Sequence, residues 1–422
     1  MFDYPEFSRD LLDAAKEAEE ELAPVFRQID DISEANQYKV LNAFRKNRIA
    51  EQHFNSGTGY GYSESGRDRL EQVYADIFHC EDALVRPQIT CGTHAIYLAL
   101  SSILLPGDEL LYITGMPYDS LEMSIGITSC AMSLSEFGIT FDHTDLAGDM
   151  SFDFDGIKEK IKPNTKAVAI QRSKGYKKRA SLSSEYIGEA VRFVKEIKPD
   201  IIVFVDNCYG EFVEIHEPTD FGADLIAGSL IKNPGGGLAP TGGYLAGRAD
   251  LIERCAFRLT APGLGREVGT TQGVMRLFYQ GLSLAPKVVS QALKNAHFLA
   301  AMCERFGFET SPGKDETHHC IVQTVDLGTP ENLTAFCSAV QASSYVDSYV
   351  ACEGSDMPGY SDKVIMASGA FISGSSIELS CDGPMREPYT AYFQGGLTYE
   401  HGKYAILSAL SKMLARTQDV DK

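Results

Sequence analysis

The feature that most constrains this chain is a change of rhythm at about residue 82. From there, short apolar runs alternate with amphipathic helical segments. DALVRPQIT, ELLYITG, TKAVAIQRS, IIVFVDN, DLIAGSLIK and GGYLAG read as strands. GTHAIYLALSSIL, the stretch from about Tyr118 and residues 184–197 read as helices. Continuous Val/Ile-rich strands joined by helical crossovers predict an α/β fold with a mostly parallel sheet covered on both faces. Upstream, residues of about 7–49 carry Leu11, Leu12, Ala15 and Ala18 at helical spacing. A Gly-, Ser- and Tyr-rich loop, HFNSGTGYGYSESGRDRLE, then leads into a helix at about Gly66. Downstream, the chain reads as helix from near Gly265 to about Phe306. From Cys320 it mixes strands (CIVQTV, SIELS) with helices at about 331–340 and 400–414, an α+β pattern. At 422 residues the expectation is an arm and interface loop over 1–65, a large domain over 66–305 and a smaller carboxyl-terminal domain over 306–422.

Charge narrows the partners. A formal net charge of −20 argues against nucleic acid or an anionic membrane surface. An anionic ligand would need a local positive site. No apolar run approaches the length of a membrane span, and the start is acidic and helical rather than a basic-then-apolar leader. The ten cysteines are scattered without a C-x-x-C pair, which predicts reduced, mostly buried thiols in a cytoplasm. His318-His319 lacks a matched second pair, so it reads as an exposed turn, and no metal site is expected.

Ligands of open α/β sheets bind beyond the carboxyl ends of the strands, and three strand ends carry suggestive residues. In ITCGTHAI, Gly92 permits a tight turn before a helix, and Thr93 adds a hydroxyl. That is an anion site or an ordinary βα turn capped by threonine. In IIVFVDNCYGE, Asp206 follows a run of apolar residues and either caps a turn or holds a cation. In GSLIKNPGGGLAPTGGYLAG, Lys232 stands where the surroundings read as core. It is a snorkelling surface lysine, or an amine whose pKa burial lowers until it becomes a nucleophile. Read singly, each is ambiguous. Their order (anion turn, strand-end acid, then lysine 26 residues later) matches what one cofactor demands. The phosphate of pyridoxal 5′-phosphate takes the turn, its protonated ring nitrogen the carboxylate, and its aldehyde the lysine as a Schiff base. Tyr118, one strand later in GMPYDSLE, is either a stacking partner for the ring or a core tyrosine.

At these residues the chain resembles the fold-type I pyridoxal-phosphate enzymes of cysteine and methionine metabolism. It is most similar to their methionine γ-lyase-like, or aluminium resistance, branch. The stretches that carry the likeness are GYGYSESGRDRLEQVYADIF, ALVRPQITCGTHAI, GMPYDSLE, IQRSKGY, VDNCYGEFVE, GSLIKNPGGGLAPTGGYLAG and ELSCDGPMREPYTAYFQGGLTYEH. The resemblance implies a large domain with a mostly parallel seven-stranded sheet and a smaller α+β domain. It implies Lys232 as the Schiff-base lysine and proton shuttle, Asp206 at the pyridinium, and Gly92, Thr93, Ser229 and Cys91 about the phosphate. It also implies Tyr118 on the ring, and Tyr60 and Tyr62 in a loop that crosses into a neighbouring active site of a homodimer or homotetramer. Arg386 in CDGPMREPY is the candidate for gripping the substrate carboxylate; its alternative is a surface ion pair with Glu387. The sequence departs from the wider group at three points. Ile231 stands where a hydroxyl residue often precedes the lysine, Cys91 stands where serine is more usual, and Tyr60-Gly61-Tyr62 replaces Tyr-x-Arg. The last change leaves Arg67 as a guess for the missing arginine. His94 reads chiefly as packing at the helix N-terminus.

The reaction implied is elimination at Cγ or Cβ of an amino acid, with thiolate, activated hydroxyl or halide leaving. The rivals are an aminotransferase, a decarboxylase or a γ-replacement enzyme on the same fold, and a non-catalytic pyridoxal-phosphate-binding protein linked to metal resistance.

Overall fold

The computed structural model describes residue 2 and residues 4–61, 64–148, 150–177, 179–357 and 362–420. These residues form two compact units, one of residues 36–284 and the other of residues 1–35 with 285–422.

The chain begins with α1 (Arg9–Lys46) and α2 (Ser65–Ile77). It continues through β1 (Asp82–Arg86), α3 (Gly92–Ile103), β2 (Glu109–Tyr112), α4 (Asp119–Ile125), β3 (Thr140–His143), α5 (Phe154–Lys160) and β4 (Thr165–Gln171). Next come α6 (Ser184–Ile197), β5 (Ile202–Asp206), β6 (Leu225–Ser229), β7 (Gly243–Gly247) and α7 (Ala249–Leu259). The remainder is α8 (Met275–Arg305), β8 (Glu309–Ser311), β9 (Val322–Asp326), α9 (Pro330–Ala342), β10 (Val364–Ala367), β11 (Leu379–Pro384), β12 (Thr390–Gly395) and α10 (Tyr399–Val420). No helix among the described residues is long and apolar enough to cross a membrane.

The unit of residues 36–284 is built on a seven-stranded sheet in the order β1-β7-β6-β5-β4-β2-β3. Its strands pair in parallel except β7, which runs antiparallel to both neighbours. Every residue of β2, β5, β6 and β7 is buried, as expected of apolar strands covered on both faces. The reversal at β7 follows from loop length. Residues 230–242 contain no α-helix to carry the chain back across the sheet, so the chain turns and pairs alongside β6. That short excursion carries Lys232. β3 and α5 escape the sequence reading because TFDH is a polar edge strand with no buried residue and α5 spans barely two turns. α7 escapes it too, hidden between the strand GGYLAG and the long helix that follows.

The other unit carries a five-stranded antiparallel sheet, β10-β11-β12-β9-β8. Its core joins Phe393 and Cys381 of the sheet to Phe336 of α9, Ile406 and Leu410 of α10, and Met302 of α8. Leu11, Leu12, Ala15 and Ala18, the apolar stripe seen in the sequence, belong to this same core. His318 is buried, not an exposed turn. Its ring lies 4.0 Å from that of His297 and 2.7 Å by hydrogen bond from Gln323 Oε1. Two adjacent polar letters in the sequence concealed a satisfied core histidine. All ten cysteines are free thiols, and six of them are buried.

The loop after β5 is fixed from behind by Arg172, which follows β4 and is fully buried. Its guanidinium donates to Asn207 Oδ1 at 2.8 Å, Glu217 Oε2 at 3.2 Å and Glu214 Oε2 at 2.6 Å. A buried carboxylate that loses such a partner is costly. Arg172→Met should therefore lower stability by about 3–5 kcal/mol, read as a fall in the urea midpoint. The double change with Glu217→Leu should recover part of that loss, and a single variant as stable as the parent would show that the network is not structural.

Candidate active site

Three neighbouring strands end at one place. Gln171 closes β4, Asp206 closes β5 and Ser229 closes β6, and Asp206 lies in register with Gln171 on one side and Ala227 on the other. Three residues past β6, Lys232 turns its amine back toward these ends. A methyl group built on Gly92 would sit 3.4 Å from Cys208 Sγ, 3.7 Å from Ser229 Cβ and 3.8 Å from Lys232 Nζ. Gly92 is the first residue of α3, so the amine and the Ser229 side chain meet at the amino end of that helix. Those are ordinary van der Waals separations, so a Cβ there would touch all three groups without displacing them.

The donors there suit an anion. The first backbone N–H groups of a helix are unpaired by its own carbonyls and lie at the positive end of its dipole. Ser229 Oγ is buried without a hydrogen-bond partner among the described residues. Thr93 Oγ1 lies 2.9 Å from Ser120 Oγ on α4. Cys91 is the N-cap of α3, and its sulfur accepts the His94 N–H at 3.4 Å. The His94 ring accepts the Thr90 N–H at 3.2 Å.

Asp206 is buried and accepts the Cys208 N–H at 3.1 Å. Burial pushes its carboxyl above the ordinary aspartate value, against the pull of Lys232 and the Cys208 N–H. Lys232 corrects an expectation. Burial does draw its ammonium down, but Cys208, Tyr209 and Asp206 outweigh that effect, and the amine stands above the ordinary lysine value. The sequence suggested an unpaired buried amine; the fold surrounds it with partners. Nζ lies 3.8 Å from the centroid of the Tyr209 ring, a cation–π contact.

Tyr118 borders this place. It precedes α4, and a Cβ on Gly175 would meet the Tyr118 ring at 3.2 Å and the Gln171 amide at 3.0 Å. Tyr60 is 73% exposed and is held by a β-bridge to Val268. Tyr62 lies outside the described residues. Arg67 is buried in the first turn of α2 and pairs with Asp68 at 3.1 Å. Arg386, in the other unit, is half-exposed and pairs at 3.1 Å with Asp362 rather than with Glu387.

The sequence reading missed Tyr209 and Glu211, although both lie in the quoted VDNCYGEFVE. Glu211 is fully buried. Its Oε1 accepts the Tyr244 hydroxyl at 2.9 Å, and its Oε2 has no partner among the described residues. Gly228 makes room for this pair, since a Cβ there would fall 2.4 Å from Glu211 Oε1 and 2.5 Å from the Tyr244 ring. The only sequence signal was an acid five residues after a strand, which is usually a solvated loop residue.

Burial, with Glu217 nearby, pushes the Glu211 carboxyl up to about 8 from 4.5. Between those values the folded chain keeps a proton that the unfolded chain has lost. The stability contribution is therefore intact below pH 4.5 and declines as pH rises toward 8. Urea midpoints between pH 5 and 8 should fall, with this residue supplying a slope of at most ~1.4 kcal/mol per pH unit. Glu211→Gln should remove that slope, and an unchanged slope in the variant would assign the proton elsewhere.

Comparison with known proteins agrees in family and fold. A family model described as methionine gamma-lyase matches residues 11–414. The uncharacterized protein YnbB of Bacillus subtilis (strain 168) is 51% identical over 418 residues, 99% of each chain. A solved carbon-sulfur lyase involved in aluminum resistance, from Clostridium novyi NT, is 50% identical with a TM-score of 0.93 over 96% of both chains. A pyridoxal-5′-phosphate-dependent protein, YhfS from Escherichia coli, is 17% identical with a TM-score of 0.62 over 92% of this chain and 97% of its own. The architecture is that of fold-type I pyridoxal-phosphate enzymes, with a mostly parallel seven-stranded sheet and a carboxyl-terminal antiparallel sheet.

Proposed function

This chain belongs to the methionine gamma-lyase family, and we propose from that footing that it is a pyridoxal-phosphate-dependent lyase. It cleaves a carbon–heteroatom bond of an amino acid by γ- or β-elimination. The observation that carries this reading is the meeting of Lys232 Nζ, Ser229 and Cys208 over the bare backbone of Gly92.

The residues fit the cofactor. Lys232 would bind it covalently and Asp206 would face its ring nitrogen. The amino end of α3 at Gly92 and Thr93, with Cys91 as its cap and the unpartnered Ser229 Oγ, would take the phosphate. Tyr118 would lie against the ring. When bound, the cofactor supplies an electron sink for the charge left at Cα as a proton departs.

The chain's own residues manage protons and position. Lys232, once released, takes the Cα proton and returns it where the leaving group departs. The Asp206 carboxylate favours a protonated ring nitrogen. Arg386 is our candidate for the substrate carboxylate. Tyr60 and Tyr62 would act in a neighbouring copy's site within a homodimer or homotetramer of the cytoplasm. A thiolate leaving group is favoured, because a relative of 50% identity is described as a carbon-sulfur lyase.

Protein supplied with pyridoxal phosphate and reduced with borohydride should carry the label on the peptide containing Lys232; a label on any other lysine would sink the assignment. Turnover of amino acids bearing C–S, C–O and C–halogen bonds should yield an oxo or alkenyl acid without an amino acceptor. A requirement for an acceptor would make the protein an aminotransferase, and cofactor binding without any turnover would make it a binding protein. Ser229→Ala should retain the cofactor about 10- to 100-fold less tightly, the worth of one hydrogen bond to a charged group. Unchanged retention would remove Ser229 from the phosphate site.

A further inference from the structure

The turn that leaves β5 is strained where it meets Lys232. Tyr209 has φ +72° and Phe212 has φ +62°, left-handed backbone that bulky residues rarely adopt. Glycine would take either position without strain. The intervening Gly210 is needed for another reason, since a Cβ there would fall 2.5 Å from the Arg172 guanidinium.

Such a turn persists only if its surroundings hold it, and here they do so repeatedly. Gly210 N–H donates to Asn207 O at 3.0 Å, and Phe212 N–H donates to Glu217 Oε1 at 3.0 Å. Asn36 Nδ2 donates to Phe212 O at 3.2 Å and to Glu214 O at 3.0 Å. Asn233, the residue after Lys232, donates from Nδ2 to Glu211 O at 2.9 Å. That last bond ties the strained turn to the lysine's own loop. The result is one contact: the Tyr209 ring lies under Lys232 Nζ at 3.8 Å. A leucine would fill much of the same volume. The π face is what an aromatic ring adds.

We propose that Tyr209 is a further catalytic residue, whose ring face holds the Lys232 ammonium whenever that amine is not covalently engaged. The proposal rests on the reading of Lys232 as the proton carrier. Holding the ammonium keeps its proton aimed instead of letting the flexible side chain swing. Asp206 and Cys208 also face this amine, while Glu211 lies farther along the same turn. Tyr209 alone among them brings a π face.

The test uses cofactor-free protein first. Trinitrobenzenesulfonate labels only unprotonated amines, and mass spectrometry follows the Lys232 peptide, with exposed lysines as internal standards. At pH 9, Tyr209→Leu, which loses the ring, should label Lys232 roughly 3- to 10-fold faster than the parent, the effect of one lost cation–π contact. Tyr209→Phe, which keeps the ring, should label it at close to the parent rate. Tyr209→Gly, free of backbone strain, should melt no lower than Tyr209→Leu, showing that the effect does not come from unfolding. In the holoenzyme, Tyr209→Leu should lower kcat about tenfold or more at unchanged KM. Equal labelling rates in Tyr209→Leu and the parent would overturn the proposal. If labelling responds as expected but borohydride traps no cofactor on Lys232, then the hold on the amine stands and the lyase reading fails instead.

Discussion

A single buried guanidinium underlies the arrangement of this molecule's chemistry. Arg172 leaves the end of β4 and reaches under the turn that leaves β5, where it meets Asn207, Glu214 and Glu217. A charge with no exposed surface is tolerable only where its partners saturate it. Those partners must therefore stay where they are, and the backbone that bears them stays too. Asn207 directly follows Asp206. Glu217 holds the Phe212 N–H and also accepts from Asn207 Nδ2 at 3.1 Å. The carboxylate of the site and the strained turn beside it are thus secured by electrostatics beneath the sheet's end, out of reach of solvent and salt.

The acidic exterior makes the site's local balance more telling. A chain of net charge −20 would repel a phosphorylated ligand at long range. On the proposed reading the attraction would come at close quarters, from N–H groups at the amino end of α3, the Ser229 hydroxyl and one ammonium. These are short-range and directional, so they select for shape and hydrogen-bonding pattern more than for charge. Asp206 and Glu211 add two buried carboxyl groups close to the same ammonium, both raised above their ordinary values by burial.

Much of this was legible in the sequence, for a physical reason. Strand ends in a covered parallel sheet are abrupt, because apolar runs stop where the chain must turn. Asp206, Ser229, Lys232 and Gly92 each stand at or just past such a stop, so their gathering at one end of the sheet could be read from their order along the chain. What could not be read is what neighbours do to one another. Lys232 looked like a lone amine whose proton burial would strip away; the fold supplies Tyr209, Cys208 and Asp206 and reverses the direction. Tyr209 and Glu211 were invisible as candidate residues because their placement depends on left-handed backbone held by Glu217 and, from farther along the chain, by Asn36 and Asn233. His318 shows the same limit in the core, where a histidine pair on paper is a single buried ring satisfied by Gln323. The edge strand β3 was missed because a half-solvated strand carries no apolar signature.

The reversal between β6 and β7 has one more implication. Ser229 pairs with Gly243, and the Leu230 N–H reaches Gly242 O, so the excursion bearing Lys232 is closed at its neck like a drawstring. The amine is presented by a cinched ring of chain whose freedom is already spent in forming the sheet. On the proposed reading, any retuning toward a different amino acid would be written into segments outside that ring, leaving Lys232 itself undisturbed.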